Sequence, residues 1–278
     1  MGKRNKVRIK NHRRFYICLV ILLIILCTIG YYLYPSIRDV FSKAVMSDAQ
    51  IQASDTIIEA ANTAIEATAV PIDDLSALKQ NISSQISDYS GKWEIYIKDL
   101  KTNQSLSINS APLKSASVIK LFNMMAFYNY INENNLTITD NQNYLLKQMI
   151  TVSSNGASNS IVSILGKGNF LTGAKYVTNY CKNEGYNDTS EAQELYDTIP
   201  EGAVITGANR VSADDCGKAL EQIYDGKCIN EEYSKDMLDL LLGQQNKVKI
   251  PAELPSDIKI AHKTGETSDV DSDVRYSV

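Results

Sequence analysis

The sequence predicts an α+β domain behind one transmembrane helix, with an antiparallel sheet flanked by helices and an all-helical lobe inserted between its strands. Three observations carry that prediction. Residues 15–34 are uncharged and dominated by Leu, Ile and Val, and about twenty such residues span a bilayer as a helix. Residues 93–97 and 105–108 alternate as strands around a turn at 101–104, and residues 254–262 read as a further strand entered through Pro255. Between these strands the apolar positions recur at helical spacing.

Taken in order, the chain opens on Lys3, Arg4, Lys6, Arg8, Lys10, Arg13 and Arg14 with no acid among them. By the positive-inside rule, residues 1–14 are then a cytoplasmic tail, 15–34 the anchor, and everything beyond lies outside the cytoplasm. Tyr31, Tyr32 and Tyr34 fall where an interfacial aromatic belt sits. The apolar stretch is long for a signal peptide and no small-x-small cleavage pattern follows it directly, which favours an uncleaved anchor. Residues 35–71 are poor in aromatics and rich in Ala, Ser, Thr and Asp, the composition of a stalk. Ile51, Ile58 and Ile65 recur within it at heptad spacing, too few positions for a coiled coil. A net charge of −4 over 278 residues points away from nucleic acid.

From residue 72 the composition is that of a globular domain. Asp73 or Asp74 caps a helix through about Tyr89, with Leu75, Leu78, Ile82 and Ile86 as its buried stripe, and Gly91 stops it. The hairpin follows and delivers the chain through Pro112 to a helix starting at Ser117. Residues 121–131 are almost wholly apolar, so this helix is expected at the centre of the domain. Further helices are expected at 144–152, from Ala157, at 175–186, 212–224 and 233–242. Residues 189–210 lack periodicity and carry two turn signals, marking an extended loop. A last strand is expected from Asp273. Cys181, Cys216 and Cys228 lie outside the anchor, and three scattered cysteines do not make a disulfide scaffold.

The chemistry concentrates at Ser117-Val118-Ile119-Lys120. Serine and lysine three residues apart share one face of a first helical turn. A lysine whose pKa is lowered by burial can take the serine's proton, and a helix N-terminus favours negative charge developing beside it. The spacing alone is cheap, since Ser76-x-x-Lys79 and Ser256-x-x-Lys259 share it. Two later pieces distinguish Ser117: Ser153-Ser154-Asn155 in a turn between helices, and Lys263-Thr264-Gly265 on a strand. The inventory narrows other routes, and an ordinary Ser-His-Asp triad would have to use His262. Histidine occurs only at His12 and His262, no Gly-x-Ser-x-Gly elbow is present, and no paired-histidine zinc motif exists.

A helix-start Ser-x-x-Lys, an inter-helix Ser-x-Asn and a strand Lys-Thr-Gly, in that order, resemble the penicillin-recognising serine enzymes. The flanking Ser-Val-Ile-Lys-Leu-Phe, Met-Ile-Thr-Val-Ser-Ser-Asn and His-Lys-Thr-Gly-Glu-Thr are similar to class A β-lactamases and their relatives. The resemblance covers residues 72–278 and implies a β-lactamase/transpeptidase-like fold, with a β-lactam or a D-alanyl peptide of the cell wall as substrate and no cofactor or metal. It implies Ser117 as nucleophile, Lys120 as its activator, and Ser153 as the relay of a proton to the leaving nitrogen. Asn155 would bind the substrate amide, and Lys263, Thr264, Gly265 and Thr267 would line the place of the substrate carboxylate. The backbone N–H groups of Ser117 and Glu266 would form the oxyanion hole, and Asn159 would brace the loop after Thr189. That loop carries no Glu-x-x-Leu-Asn deacylation signature, which leaves Glu191 and Glu194 as its candidate bases. The family pattern continues past the strand at Asp273 with another strand and a closing helix, so the sequence reads as truncated there.

Overall fold

The computed structural model describes residues 75–198, 201, 207–255, 257–268 and 270–277. These belong to the unit Asp74–Val278. The expected basic tail, anchor and stalk lie outside the described residues, as do Asp73, Asp74 and most of the turn after Pro200. No helix among the described residues is long and apolar enough to cross a membrane.

Helix α1, Ser76–Ile86, begins at Leu75 without a side-chain cap and buries none of its residues. The expected buried stripe is therefore corrected. The helix rests against the hairpin that follows it, so Leu75, Ile82 and Ile86 are half-covered while Leu78 is exposed. The hairpin pairs β1, Ile95–Asp99, with β2, Gln104–Ile108, in antiparallel register from Ile95 opposite Ile108 to Asp99 opposite Gln104. Its turn passes through Asn103 at φ +60°, a left-handed conformation that asparagine tolerates.

A short strand β3, Leu113–Lys114, then leads into a 3₁₀ turn, Ala116–Val118, and helix α2, Ile119–Glu133. Every residue of α2 from Ile119 to Tyr128 is buried, and so is Ile131. A helix apolar on all sides needs cover on all sides. It has contacts with α3 (Asp140–Thr151), α4 (Asn155–Leu165), α5 (Phe170–Asn183) and α7 (Glu231–Leu242), which makes it the centre of the helical lobe. All four of these helices start earlier than apolar spacing predicts, because their caps are polar, Ser154 being that of α4. Thr139 and Gln142 form a capping box for α3, Asn169 caps α5 and Asn230 caps α7.

Helix α6, Ala213–Tyr224, capped by Ser212, packs on both hairpins. Its Gly217 lies so close to Tyr96 of β1 that a Cβ there would fall 2.2 Å from the ring. Lys98 of β1 forms an ion pair with Glu221 of α6. Glu94 accepts hydrogen bonds from the N–H groups of Ala111 (2.6 Å) and Ala213 (3.1 Å), tying the hairpin to the approach to Ser117.

The expected strand at 254–262 is displaced towards the C-terminus. Residues Ile250–Glu253 form a 3₁₀ turn and Ile258 N–H returns to Pro255 O, while strand β5 runs from Ile260 to Thr267. Pro251 and Pro255 lack the N–H donors a ladder needs. Strand β6, Val270–Ser277, pairs with β5 throughout. The sheet also differs from one continuous unit. Its hydrogen bonds form three antiparallel pairs, β1 with β2, β5 with β6, and β3 with the two-residue β4, Arg210–Val211. Both hairpins contact α6 but neither pairs with the other. Cys181, Cys216 and Cys228 are buried free thiols.

Candidate active site

Ser117 sits in the 3₁₀ turn ahead of α2, one turn earlier and tighter than an α-helical start. The residue before it, Ala116, has φ +45°, a conformation that disfavours any Cβ and that neighbouring structure must hold in place. Ser153 is another such residue, at φ +60°. It follows the last turn of α3, and the next residue, Ser154, returns its N–H to Gln148 O (3.0 Å) and caps α4 through its hydroxyl. Two roles are thus divided along one tripeptide. Ser154 is the cap, while Ser153 and Asn155 face Lys120.

Lys120 is buried. Its Nζ donates to Ser117 Oγ (2.9 Å), Ser153 Oγ (3.2 Å) and Asn155 Oδ1 (2.7 Å), and it also contacts the Ser153 carbonyl. Lys263, also buried, donates to the same Ser153 Oγ (2.8 Å) and to Thr264 O (2.7 Å). Ser153 therefore accepts from two lysines, which leaves its own proton free to donate. Burial first and the charge of Lys263 second lower the Lys120 pKa to about 7, against the opposing charge of Asp197 and, when it is ionised, of Glu191. Lys263 is likewise lowered to about 7, by burial against the opposing charge of Asp273. An amine that is partly neutral at pH 7 and 2.9 Å from a hydroxyl can serve as its base.

Strand β5 reaches this cluster through Gly265. A Cβ at that position would fall 2.8 Å from Ser115 O and 3.0 Å from Val118 Cγ2, the residues flanking the Ser117 turn, and 2.6 Å from Ser272 Oγ. Only glycine lets the strand lie this close to the serine. Gly265→Ala is expected to cost roughly 1–3 kcal/mol of stability by overpacking and to slow any reaction at Ser117. Unchanged thermal melting and reactivity would show the strand to be more yielding than its contacts imply. Thr264 is buried on this strand and Thr267 is exposed near its end. Glu266 pairs with Asp271 across the hairpin, with Lys249 Nζ 3.5 Å from its carboxylate.

Asn159 is hydrogen-bonded to the backbone of the loop. Its Nδ2 donates to Leu195 O and its Oδ1 accepts from Leu195 N–H, each at 2.9 Å. A second asparagine, Asn209, accepts from the N–H groups of Ala192 (2.7 Å) and Gln193 (2.9 Å) and donates to Glu191 Oε1 (2.9 Å). Neither candidate glutamate shows a hydrogen bond to the cluster. Glu191 is buried, and burial raises its pKa to about 8, against hydrogen bonds from Asn123 and Asn209 and the charge of Lys120. It holds a proton at neutral pH. Glu194 accepts from Tyr196 OH (2.6 Å).

The acid of this loop that does reach the cluster is Asp197, whose Oδ1 accepts from Asn155 Nδ2 (2.6 Å). Nothing in sequence spacing marks it out from its neighbours. His262 is buried, its ring nitrogens have no hydrogen-bond partner among the described residues, and a carboxylate oxygen of Asp273 lies 3.5 Å from Nδ1. It does not form a triad with Ser117. Lys79 of the first Ser-x-x-Lys sequence is exposed on α1.

This geometry can be set beside known proteins. A model of the beta-lactamase enzyme family matches residues 77–144 and 141–276. The chain belongs to the beta-lactamase enzyme family. Among solved structures, the family fold is shared with a β-lactamase from Sphaerobacter thermophilus, at 18% identity and a TM-score of 0.62, covering 74% of this chain and 84% of that one. PBP-A is similar at 23% identity and a TM-score of 0.60, covering 69% and 78%. A variant of the class A β-lactamase from the last common ancestor of Gram-negative bacteria is similar at 16% identity and a TM-score of 0.59, covering 73% and 84%. No curated protein matches the chain. At these identities the structures establish a β-lactamase-like fold for this family member, one of helices and small antiparallel sheets.

Proposed function

We propose that this chain is a serine hydrolase that forms an acyl-enzyme at Ser117 with β-lactams, or with D-alanyl peptides of the cell wall. The observation that carries the reading is the buried Lys120 amine, in hydrogen-bond contact with both Ser117 Oγ and Ser153 Oγ. In its neutral form Lys120 takes the Ser117 proton as Oγ bonds to the substrate carbonyl carbon. The backbone N–H groups of Ser117 and Glu266 receive the oxyanion, a device whose removal typically costs about a hundredfold or more. As the carbon–nitrogen bond breaks, Ser153 gives its proton to the leaving nitrogen and is reprotonated from Lys120. Protons and electron pairs balance without a cofactor. Lys263, with Thr264 and Thr267 beside it, meets the substrate carboxylate, and Gly265 keeps the strand close. Asn155 takes the acyl amide.

A second reading, acylation with slow release in the manner of a penicillin-binding D,D-peptidase, is favoured by the loop. Glu191 is buried and protonated and Glu194 is held by Tyr196, so neither stands ready to activate water. Mass spectrometry of the intact full chain mixed with benzylpenicillin separates the outcomes. An adduct that persists over many minutes is expected from this loop. An adduct that clears as hydrolysed drug accumulates would make the protein a β-lactamase proper. No adduct on folded protein would refute acylation and point to a non-catalytic wall-binding role. From the sequence alone we also propose that residues 15–34 anchor the chain in the membrane with this domain outside the cytoplasm.

A further inference from the structure

The hydrogen-bonded chain through the cluster is electrically polarised, with Lys263 at one end, Asp197 at the other, and Ser117 joined to its middle through Lys120. At one end Lys263 donates to Ser153 Oγ (2.8 Å). Towards the other, Lys120 Nζ reaches Asn155 Oδ1 (2.7 Å) and Asn155 Nδ2 reaches Asp197 Oδ1 (2.6 Å). Asp197 is thus linked to the nucleophile through two side chains, and its residue is exposed while Lys120 and Lys263 are buried. The stretch from Thr189 to Thr198 contains Glu191, Glu194 and Asp197 and no basic residue. With Glu191 protonated in the interior and Glu194 held by Tyr196, Asp197 is the carboxylate this stretch presents at the site.

We propose that Asp197 is a specificity residue, selecting acyl donors that carry an ammonium on the acyl side and a carboxylate on the leaving side. This rests on acylation at Ser117 as proposed above. Because Ser153 protonates the leaving nitrogen and is held by Lys263, the leaving half of the substrate lies towards Lys263. The acyl half then lies towards Asn155 and Asp197. A substrate with its anion at Lys263 and its cation at Asp197 places the scissile carbonyl between them. A free amine next to the acylated residue of a wall peptide has this form, and so does an α-amino penicillin.

Three penicillins of nearly equal shape test the idea: ampicillin with an α-ammonium, benzylpenicillin with an α-hydrogen and carbenicillin with an α-carboxylate. Acylation rates of the full chain are compared at about pH 6.5, below the ordinary α-amine range, in wild type and Asp197→Asn. Asparagine retains an oxygen to accept from Asn155. It removes the charge and exchanges the second oxygen for an NH2 group. Ratios between penicillins cancel any effect of the substitution on Ser117 chemistry common to all three. The expected wild-type order is ampicillin, benzylpenicillin, carbenicillin, each step about two- to fivefold, the range of an exposed charge pair. In Asp197→Asn the order should collapse, and about 0.5 M salt should compress it in wild type. A ratio of ampicillin to carbenicillin that is the same in both proteins would overturn the inference while leaving acylation intact. No adduct with any of the three would overturn the proposed function, and this inference with it.

Discussion

Replacing Ser117 with alanine is expected to abolish covalent capture of a fluorescent penicillin, a loss limited only by the detection floor of the gel. Ser153 lies in the same cluster but cannot substitute for Ser117. Its Oγ already accepts from Lys120 at 3.2 Å and from Lys263 at 2.8 Å, and its left-handed backbone fixes it as a bridge between the two amines. Ser117 alone combines a contact to Lys120 with a place at the head of α2 and beside Gly265 of β5. The substitution removes one oxygen from a partly polar site, so the fold is expected to survive, which circular dichroism checks. Residual labelling at an unchanged rate would remove Ser117 from the mechanism.

The second large effect is on the pH dependence of acylation. The reactive state has Lys120 neutral, to take a proton, and Lys263 charged, to meet a carboxylate. With both lowered to about 7, the acidic limb rises with pH as Lys120 loses its proton. The alkaline limb falls as Lys263 loses its own. The expected profile is a bell centred near neutrality, and because the two lysines repel each other its limbs belong to the pair. Lys120→Ala should lower acylation by about a hundred- to ten-thousandfold, the usual contribution of a positioned base. Lys263→Arg should move the alkaline limb above the measurable range, since an arginine stays charged. A flat wild-type profile between roughly pH 5 and 9, against ordinary lysine values near 10.4, would show that neither amine titrates as the burial demands.

Local rules read much of this molecule. The hairpin at Ile95–Ile108, the central helix after Ser117 and the order of the helices follow from periodicity and caps, which act over a few residues. The three motifs were legible because their chemistry needs fixed spacings: Ser117 and Lys120 one turn apart, Ser153 and Asn155 either side of a cap, Lys263 to Gly265 in consecutive strand positions. The stripe of α1 misled, because periodicity says which face would be buried but not whether anything covers it. The start of β5 shifted because Pro251 and Pro255 withhold donors that apolar content does not count.

What the sequence by itself determined was the set of reacting groups and the elements that bear them. What only the tertiary structure decided was their electrostatic state and which loop acid matters. Burial lowers Lys120 and Lys263 and keeps Glu191 protonated, a long-range property of what packs around each group. Glu191, Glu194 and Asp197 look equivalent along the chain. The hydrogen bonds of Asn159 and Asn209 fold the loop so that the first is interior, the second is held by Tyr196, and the third meets Asn155.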